Sequence, residues 1–321
     1  MKMLLTGTTG NLGYEIASDL ARRGFVVVPI VRPSRKESAS DLQEKFEEVV
    51  YSDLTGADDI EFDGTADCIV HCAGIVHLRN AGNANEQMMF KVVSLAQRLK
   101  IPLYFISTAF VYRPAGENDT FNNSYEKDKW QAEQILIKSG VPHAIFRPSI
   151  LVGNSKTGEI QNFNGYYLVI SAFLSAIEHS TKQGLKLRFP RLLGKANMVT
   201  VDQAAQSIGN AIEKARLETL FVSNPNPPTA DWVLSKTLEI FGVQDQIEFL
   251  NCSFEEFDKL DLTEVERNLY KFGAHFNPYW SLSYNFPETI CTENLITKEY
   301  LAKTLDYFRK SQNPSNDQPN Y

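Results

Sequence analysis

Apolar and polar positions follow two rhythms along the first half of the chain. Short apolar runs, "KMLLTG", "FVVVPIVR", "ADCIVHCAG", "PLYFISTAFVY" and "PHAIFRPSILVG", read as buried strands. Between them lie segments whose apolar residues recur at helical spacing. These are "NLGYEIASDLARRG", stopped by Gly24, then "EQMMFKVVSLAQRLK", then "EKDKWQAEQILIKSG", stopped by Gly140. A further short strand is expected at "EEVVYSDL". Strands alternating with helices predict an α/β fold with a doubly wound parallel sheet. After Gly153 the rhythm changes to aromatic-rich, irregular segments such as "NFNGYYLVISAFLSAIEH". These predict a smaller mixed C-terminal domain, with some elements returning to the sheet. The tail "SQNPSNDQPNY" is polar and rich in Pro and Asn, a composition that favours disorder.

Composition narrows the function classes. The chain has 321 residues, 43% of them hydrophobic, enough for a large core or two unequal ones. A net charge of −7 without a Lys/Arg cluster argues against nucleic acid as a partner. No apolar run reaches the ~20 residues of a membrane span. Met1 leads directly into the first strand without a signal peptide, so a free-standing cytoplasmic protein is expected. Cys68, Cys72, Cys252 and Cys291 are scattered, with neither a disulfide framework nor metal-ligand spacing. His71 and His77 lack a third ligand nearby, so no metal is expected.

The chemistry begins at the first strand's end. Gly7-Thr8-Thr9-Gly10-Asn11-Leu12-Gly13 places glycines three apart between a strand and a helix. Glycines serve where backbone must turn tightly and approach a diphosphate, whose charge the free N–H groups at the helix start then bind. In this strand–turn–helix context the motif predicts dinucleotide binding. At the end of the second strand, NAD-binding chains place a carboxylate on the adenosine ribose. Here that position reads Val31-Arg32-Pro33-Ser34-Arg35-Lys36. Arg32 and Arg35 suit a 2′-phosphate, so NADP(H) is the preferred cofactor and NAD(H) the alternative. Asp53 and Leu54, after the third strand, are placed to meet the adenine.

A catalytic set accompanies it. Thr108, preceded by Ser107, ends the fifth strand, and Tyr125 follows after a loop. Lys129, four residues on, shares a helix face with Tyr125. Hydride transfer to a carbonyl leaves an oxyanion that needs a proton. A phenol with a reference pKa near ~10 is a poor shuttle at neutral pH, and a neighbouring ammonium lowers that pKa. The Thr108 hydroxyl can hold the substrate oxygen at the tyrosine, and Lys129 can also hold the nicotinamide ribose.

On "TGTTGNLG", "HCAG", "ISTAFVY", "YEKDK", "FRPSILVG" and "NMVTVDQAA", spread over roughly residues 3–210, the chain resembles the extended short-chain dehydrogenase/reductases. The resemblance implies a Rossmann sheet and the catalytic roles of Thr108, Tyr125 and Lys129. It implies that Asn85 supports the active site, and that Ala73, Gly74, Arg147, Pro148 and Ser149 line the cofactor. One departure is that Met88 and Met89 stand where the family often carries Gly-Thr. "YEKDKWQAE" and "NSKTGEI" look like the fatty acyl-CoA and carrier-protein thioester reductase branch, the male sterility type, which mostly uses NADPH. The expected organisation is an NADP-binding Rossmann domain at 1–153, a mainly substrate-binding region at 154–310 and a disordered tail at 311–321.

The expected activity is NADPH-dependent reduction of a thioester, aldehyde or ketone, the acyl group carried on CoA or on a separate carrier protein. A homodimer is expected by analogy with the extended family. Phe163, Tyr166, Tyr167, Phe173 and Phe189, with the later "HFNPYWSLSYNF", either line an apolar acyl channel or form the core of the smaller domain. A rival is a nucleotide-sugar epimerase or dehydratase, with Arg188, Arg191 and Lys195 on the substrate diphosphate. A third is a non-catalytic NADP-binding regulator.

Overall fold

A computed structural model describes residues 1–35, 44–76, 82–114 and 120–312. The chain divides into two compact units. The first comprises Met1–Ser149, Val201–Ser223 and Phe286–Thr292. The second comprises Ile150–Thr200, Asn224–Asn285 and Glu293–Tyr321.

With elements numbered in chain order, the first unit contains β1 (Lys2–Thr6), α1 (Asn11–Arg22), β2 (Val26–Val31), β3 (Val50–Tyr51), β4 (Cys68–His71) and α2 (Ala84–Leu99). It continues with β5 (Leu103–Ile106), α3 (Ser124–Lys138) and β6 (His143–Pro148), and later gains α5 (Val201–Glu213) and β10 (Thr219–Val222). The seven strands are parallel, in the order β10-β6-β5-β4-β1-β2-β3. This is the doubly wound Rossmann sheet that the alternating pattern predicts. Its central strands are apolar runs because helices cover both faces. All four residues of β4 and of β5 are buried. Strand order reverses between β1 and β4, which opens a crevice beyond their carboxyl ends.

Three segments depart from the sequence pattern. Only Leu103–Ile106 of "PLYFISTAFVY" is strand; Ala109–Val111 form a 3₁₀ turn capped by the Thr108 hydroxyl. The run "PHAIFRPSILVG" splits at Ser149, with β6 in the large sheet and β7 (Ile150–Val152) in a small one. The strand expected at "EEVVYSDL" shrinks to the two residues of β3.

The second unit contains β7, α4 (Tyr166–Lys182), β8 (Leu187–Pro190), β9 (Met198–Thr200), α6 (Ala230–Phe241) and β11 (Ile247–Leu250). Helices α7 (Phe254–Asp258), α8 (Glu264–Ala274), α9 (Asn277–Trp280) and α10 (Lys298–Gln312) complete it. Strands β7 and β9 pair in parallel, as do β8 and β11. Its core is aromatic. Tyr166, Tyr167, Phe173 and Phe189 are each no more than 2% exposed. Phe173 meets Phe189 edge-on at 4.8 Å, and Phe163 meets Phe308 at 5.0 Å. These side chains fill a core, which an edge-to-face arrangement suits. Helix α10 carries regular structure through Gln312; the rest of the expected tail lies outside the described residues.

Candidate functional site

Every residue proposed for the cofactor or for catalysis falls in the first unit, around the crevice between β1 and β4. Gly7 has φ +81°, and a Cβ there would sit 2.5 Å from the Ala73 nitrogen. A Cβ on Gly13 would overlap the Gly7 carbonyl oxygen. Both glycines are therefore required by close backbone approach. The Gly10 N–H donates to the Gly7 carbonyl at 2.9 Å. Gly10 caps α1 without a side-chain hydrogen bond, and the first turn contains no acidic residue. That leaves a helix start suited to an anion. The Thr8 hydroxyl is buried without a protein partner among the described residues, whereas Thr9 is exposed and Leu12 packs inward.

The end of β4 is tied to this turn. Ala73 donates its N–H to Thr6 Oγ1 at 3.1 Å, and Thr6 Oγ1 in turn bonds His71 Nδ1 at 2.8 Å. Burial holds His71 neutral, its pKa lowered to about 3. His77 lies outside the described residues.

At the adenosine end, Arg32 is exposed just after β2, and Arg35 closes the 3₁₀ turn Pro33–Arg35. The Asp53 carboxylate accepts from Thr55 N at 2.9 Å and Thr55 Oγ1 at 2.8 Å. These bonds hold its pKa below the usual carboxylate value, with the Arg32 and Lys91 charges adding smaller effects. Lys91 donates to the carbonyls of Asp53, Gly56 and Asp58 at 3.2, 2.6 and 2.5 Å, pinning that loop. The Leu54 side chain is only 4% exposed and joins the core with Val28, Ile30 and Ile60, so it is not presented to a ligand.

The residues expected to be catalytic converge at the end of β5. Thr108 Oγ1 accepts from Phe110 N at 3.4 Å, and the Thr108 hydroxyl is near enough to the Tyr125 phenol to favour its charged form. Tyr125 lies in the first turn of α3, which Asn123 caps by accepting from Glu126 N at 3.0 Å. Burial raises the Tyr125 pKa; the Thr108 hydroxyl opposes this, and the Glu126 and Asp128 charges add to it. One turn along, the Lys129 ammonium donates to the Ile106 carbonyl at 2.7 Å and lies 4.5 Å from the centre of the Phe105 ring. Burial pulls the Lys129 pKa down to about 8. A Cβ on Gly74 would stand 3.3 Å from Lys129 Nζ and 3.1 Å from Asn85 Oδ1. Cys72, whose charge would be felt by both Tyr125 and Lys129, is kept a neutral thiol by burial, its pKa pushed up to about 12.

Asn85 is buried. Its amide donates to the Ile75 carbonyl at 3.1 Å and to Asp128 Oδ2 at 2.7 Å, and its Oδ1 accepts from Ile75 N at 3.1 Å. It thus fixes the chain after Gly74. Asp128, which the sequence reading passes over, also accepts from the backbone N–H groups of Asn85 and Glu86, both at 3.0 Å. A carboxylate from α3 therefore caps α2. The signal was present in "YEKDK": an acid adjoining the lysine on an inward face. Arg147 is committed to Glu133, at 3.0 Å from Nε and 2.5 Å from Nη2. The hydroxyls of Ser107 and Ser149, at the ends of β5 and β6, are buried without a protein partner among the described residues.

These residues fit a dinucleotide. The glycine cradle and bare helix start suit its diphosphate, and the unpartnered Thr8 and Ser149 hydroxyls offer further hydrogen bonds.

Comparison with known proteins agrees. Residues 54–208 match the NAD-binding family model described as male sterility protein. That model spans just under half of the chain and agrees with the resemblance read from the motifs. A hybrid PKS-NRPS synthetase of Talaromyces variabilis is 26% identical over 238 residues. That match covers 67% of this chain but spans only 6% of the relative's length. Among solved structures, the terminal R domain from the myxalamid PKS-NRPS pathway superposes with a TM-score of 0.70 at 18% identity. The match covers 97% of this chain and 91% of that one. A thiolation-reductase di-domain from an archaeal non-ribosomal peptide synthetase gives 0.68 at 19%, covering 97% and 75%. UDP-glucose 4-epimerase from Bifidobacterium longum gives 0.60 at 14%, covering 98% and 99%. At these identities the structural likenesses establish the fold.

Proposed function

We propose that the chain is an NADPH-dependent reductase of a carbonyl, with a carrier- or CoA-bound acyl thioester as the substrate class. The observation that carries this reading is the convergence of Thr108, Tyr125 and Lys129 at the end of β5. The male sterility match and the reductase neighbours support the acyl class. When bound, the nicotinamide supplies hydride to the carbonyl carbon. Thr108 donates a hydrogen bond to the carbonyl oxygen and holds it against Tyr125. The phenol, kept protonated by its raised pKa, gives its proton to the oxygen as negative charge develops. Lys129, anchored on the Ile106 carbonyl, keeps positive charge beside that phenol. With a thioester the carbon–sulfur bond then breaks, and a thiol and an aldehyde are released. Arg32 supports NADPH over NADH, since no carboxylate follows β2. The reading also places the enzyme in the cytoplasm and as a homodimer.

The epimerase alternative has less support. Arg188 is bonded to Glu266 at 2.8 Å and to the Asp261 carbonyl at 2.7 Å. Arg191 pairs with Asp231 at 3.0 Å, and Lys195 with Asn285 at 2.8 Å. The three cations suggested for a substrate diphosphate thus already hold partners.

The test is oxidation of NADPH by decanoyl-CoA and decanal, followed by absorbance, with thiol release measured for the thioester. Turnover of either probe, lost in Tyr125→Phe, is expected. Turnover confined to nucleotide sugars overturns the reading.

A further inference from the structure

Outside the catalytic set, one buried side-chain cluster has no role yet. Glu126 follows Tyr125 and is completely buried. Its carboxylate accepts from the Asn122 N–H at 3.0 Å, from Asn122 Nδ2 at 3.1 and 3.2 Å, and from Arg113 Nη2 at 2.6 Å. Arg113 uses its other two nitrogens on backbone. Nη1 donates to the carbonyls of Phe110 at 2.6 Å and Tyr112 at 2.9 Å, and Nε donates to Thr120 at 3.2 Å. Its guanidinium also lies 5.4 Å from the centre of the Phe121 ring.

These bonds join two pieces of chain that carry the reacting hydroxyls. Phe110 and Tyr112 belong to the turn that leaves Thr108. Asn122 and Glu126 flank the helix start that presents Tyr125. Tyr112 and Phe110 are braced on the far side by edge-to-face contacts with Phe286, at 6.5 and 5.5 Å. A guanidinium is a rigid planar fork, so its bonds fix relative position and not merely proximity. We propose that Arg113, through Glu126, is a positioning residue that sets the Thr108–Tyr125 separation at which one substrate oxygen is shared. A lysine at 113 keeps the charge but cannot serve the carboxylate and three carbonyls at once. A displacement of about 1 Å in reacting groups can cost on the order of 100-fold in rate.

This inference rests on the reductase reading, so its test keeps the two apart. Arg113→Ala, Arg113→Lys and Glu126→Gln are compared with wild type for kcat and KM toward decanoyl-CoA and decanal. NADPH affinity and thermal midpoint are measured in parallel. Expected is a fall in kcat of roughly 10- to 100-fold in Arg113→Ala, only partly restored in Arg113→Lys, with NADPH affinity within about twofold of wild type. A second readout needs no turnover. In ring-labelled ¹³C-tyrosine spectra, the Tyr125 resonance, assigned by its loss in Tyr125→Phe, moves in Arg113→Ala in the same direction as in Thr108→Val. Wild-type kcat in Arg113→Ala, or an unmoved Tyr125 resonance, overturns the proposal. A wild-type enzyme inert toward both probes overturns the reductase reading, and the resonance then decides the positioning role alone.

Discussion

Lys129 reaches across from α3 and donates its ammonium to the Ile106 carbonyl at 2.7 Å, where β5 gives way to the Thr108 turn. The bond docks α3 onto the last residue of the strand that leads to Thr108. It also takes the ammonium out of water, and burial lowers its pKa to about 8. The charge on Lys129 is therefore present below that value and lost as pH rises through it. Tyr125, shifted upward, remains a phenol over the same range. Carbonyl reduction should decline above pH ~8 with a single-proton limb belonging to the lysine. In Lys129→Arg, where the cation does not titrate, residual activity should be flat across that range. A limb of unchanged position in the variant would assign it to another group.

The exposed Arg32 has no carboxylate beside it in sequence, and Asp53, whose carboxylate feels its charge, is satisfied by Thr55. Its guanidinium is thus available to a 2′-phosphate. NADPH should bind more tightly than NADH, and Arg32→Ala should weaken NADPH roughly tenfold while leaving NADH near its wild-type value, as loss of one charged hydrogen bond implies. Fluorescence titration of both cofactors checks this, and equal wild-type affinities would refute the NADP preference.

How much of this was legible in the sequence depends on the range of the interaction. The glycine turn and the Tyr/Lys pair are local patterns imposed by one strand–helix turn and one helical turn, so spacing alone displayed them. Thr108 was visible as a strand end, although the strand stops two residues earlier because the threonine's own hydroxyl caps the next turn. Partners that meet through the fold were not visible. Asp128 finds Asn85 43 positions away, and Arg147 finds Glu133 14 positions away. Leu54 shows the converse error. Adjacent to Asp53, it was grouped with the adenine site, but a leucine after a strand returns to the core when the next turn points its neighbour outward.

Asp128 accepts three hydrogen bonds from the first turn of α2, two from backbone N–H groups and one from the Asn85 amide. Asp128→Ala leaves those buried donors without an acceptor, at a cost of about 2–3 kcal/mol. The variant should unfold at lower urea concentration by that amount. It should also lose catalytic rate, because Asn85 then no longer fixes Ile75 and the chain beside Gly74. Asp128→Asn, which retains only part of the acceptor capacity, should fall between. A wild-type midpoint in Asp128→Ala would remove the carboxylate from the support of the site.

The last prediction concerns His71, held between Thr6 and the face of Phe105, with ring centres 5.5 Å apart. Burial lowers its folded-state pKa from 6.5 to about 3. Above pH 6.5 the imidazole is neutral in both folded and unfolded chains and contributes no pH dependence. Below that value the unfolded chain takes up a proton that the folded one refuses, so stability falls as pH drops from 6.5 toward 3. At about 1.4 kcal/mol per pH unit, this group alone removes about 2 kcal/mol between pH 6.5 and 5. Urea unfolding at pH 6.5, 5.5 and 5 measures the slope. His71→Asn, although less stable at neutral pH, should show a correspondingly shallower slope. An equal slope in the variant would place the acid sensitivity elsewhere.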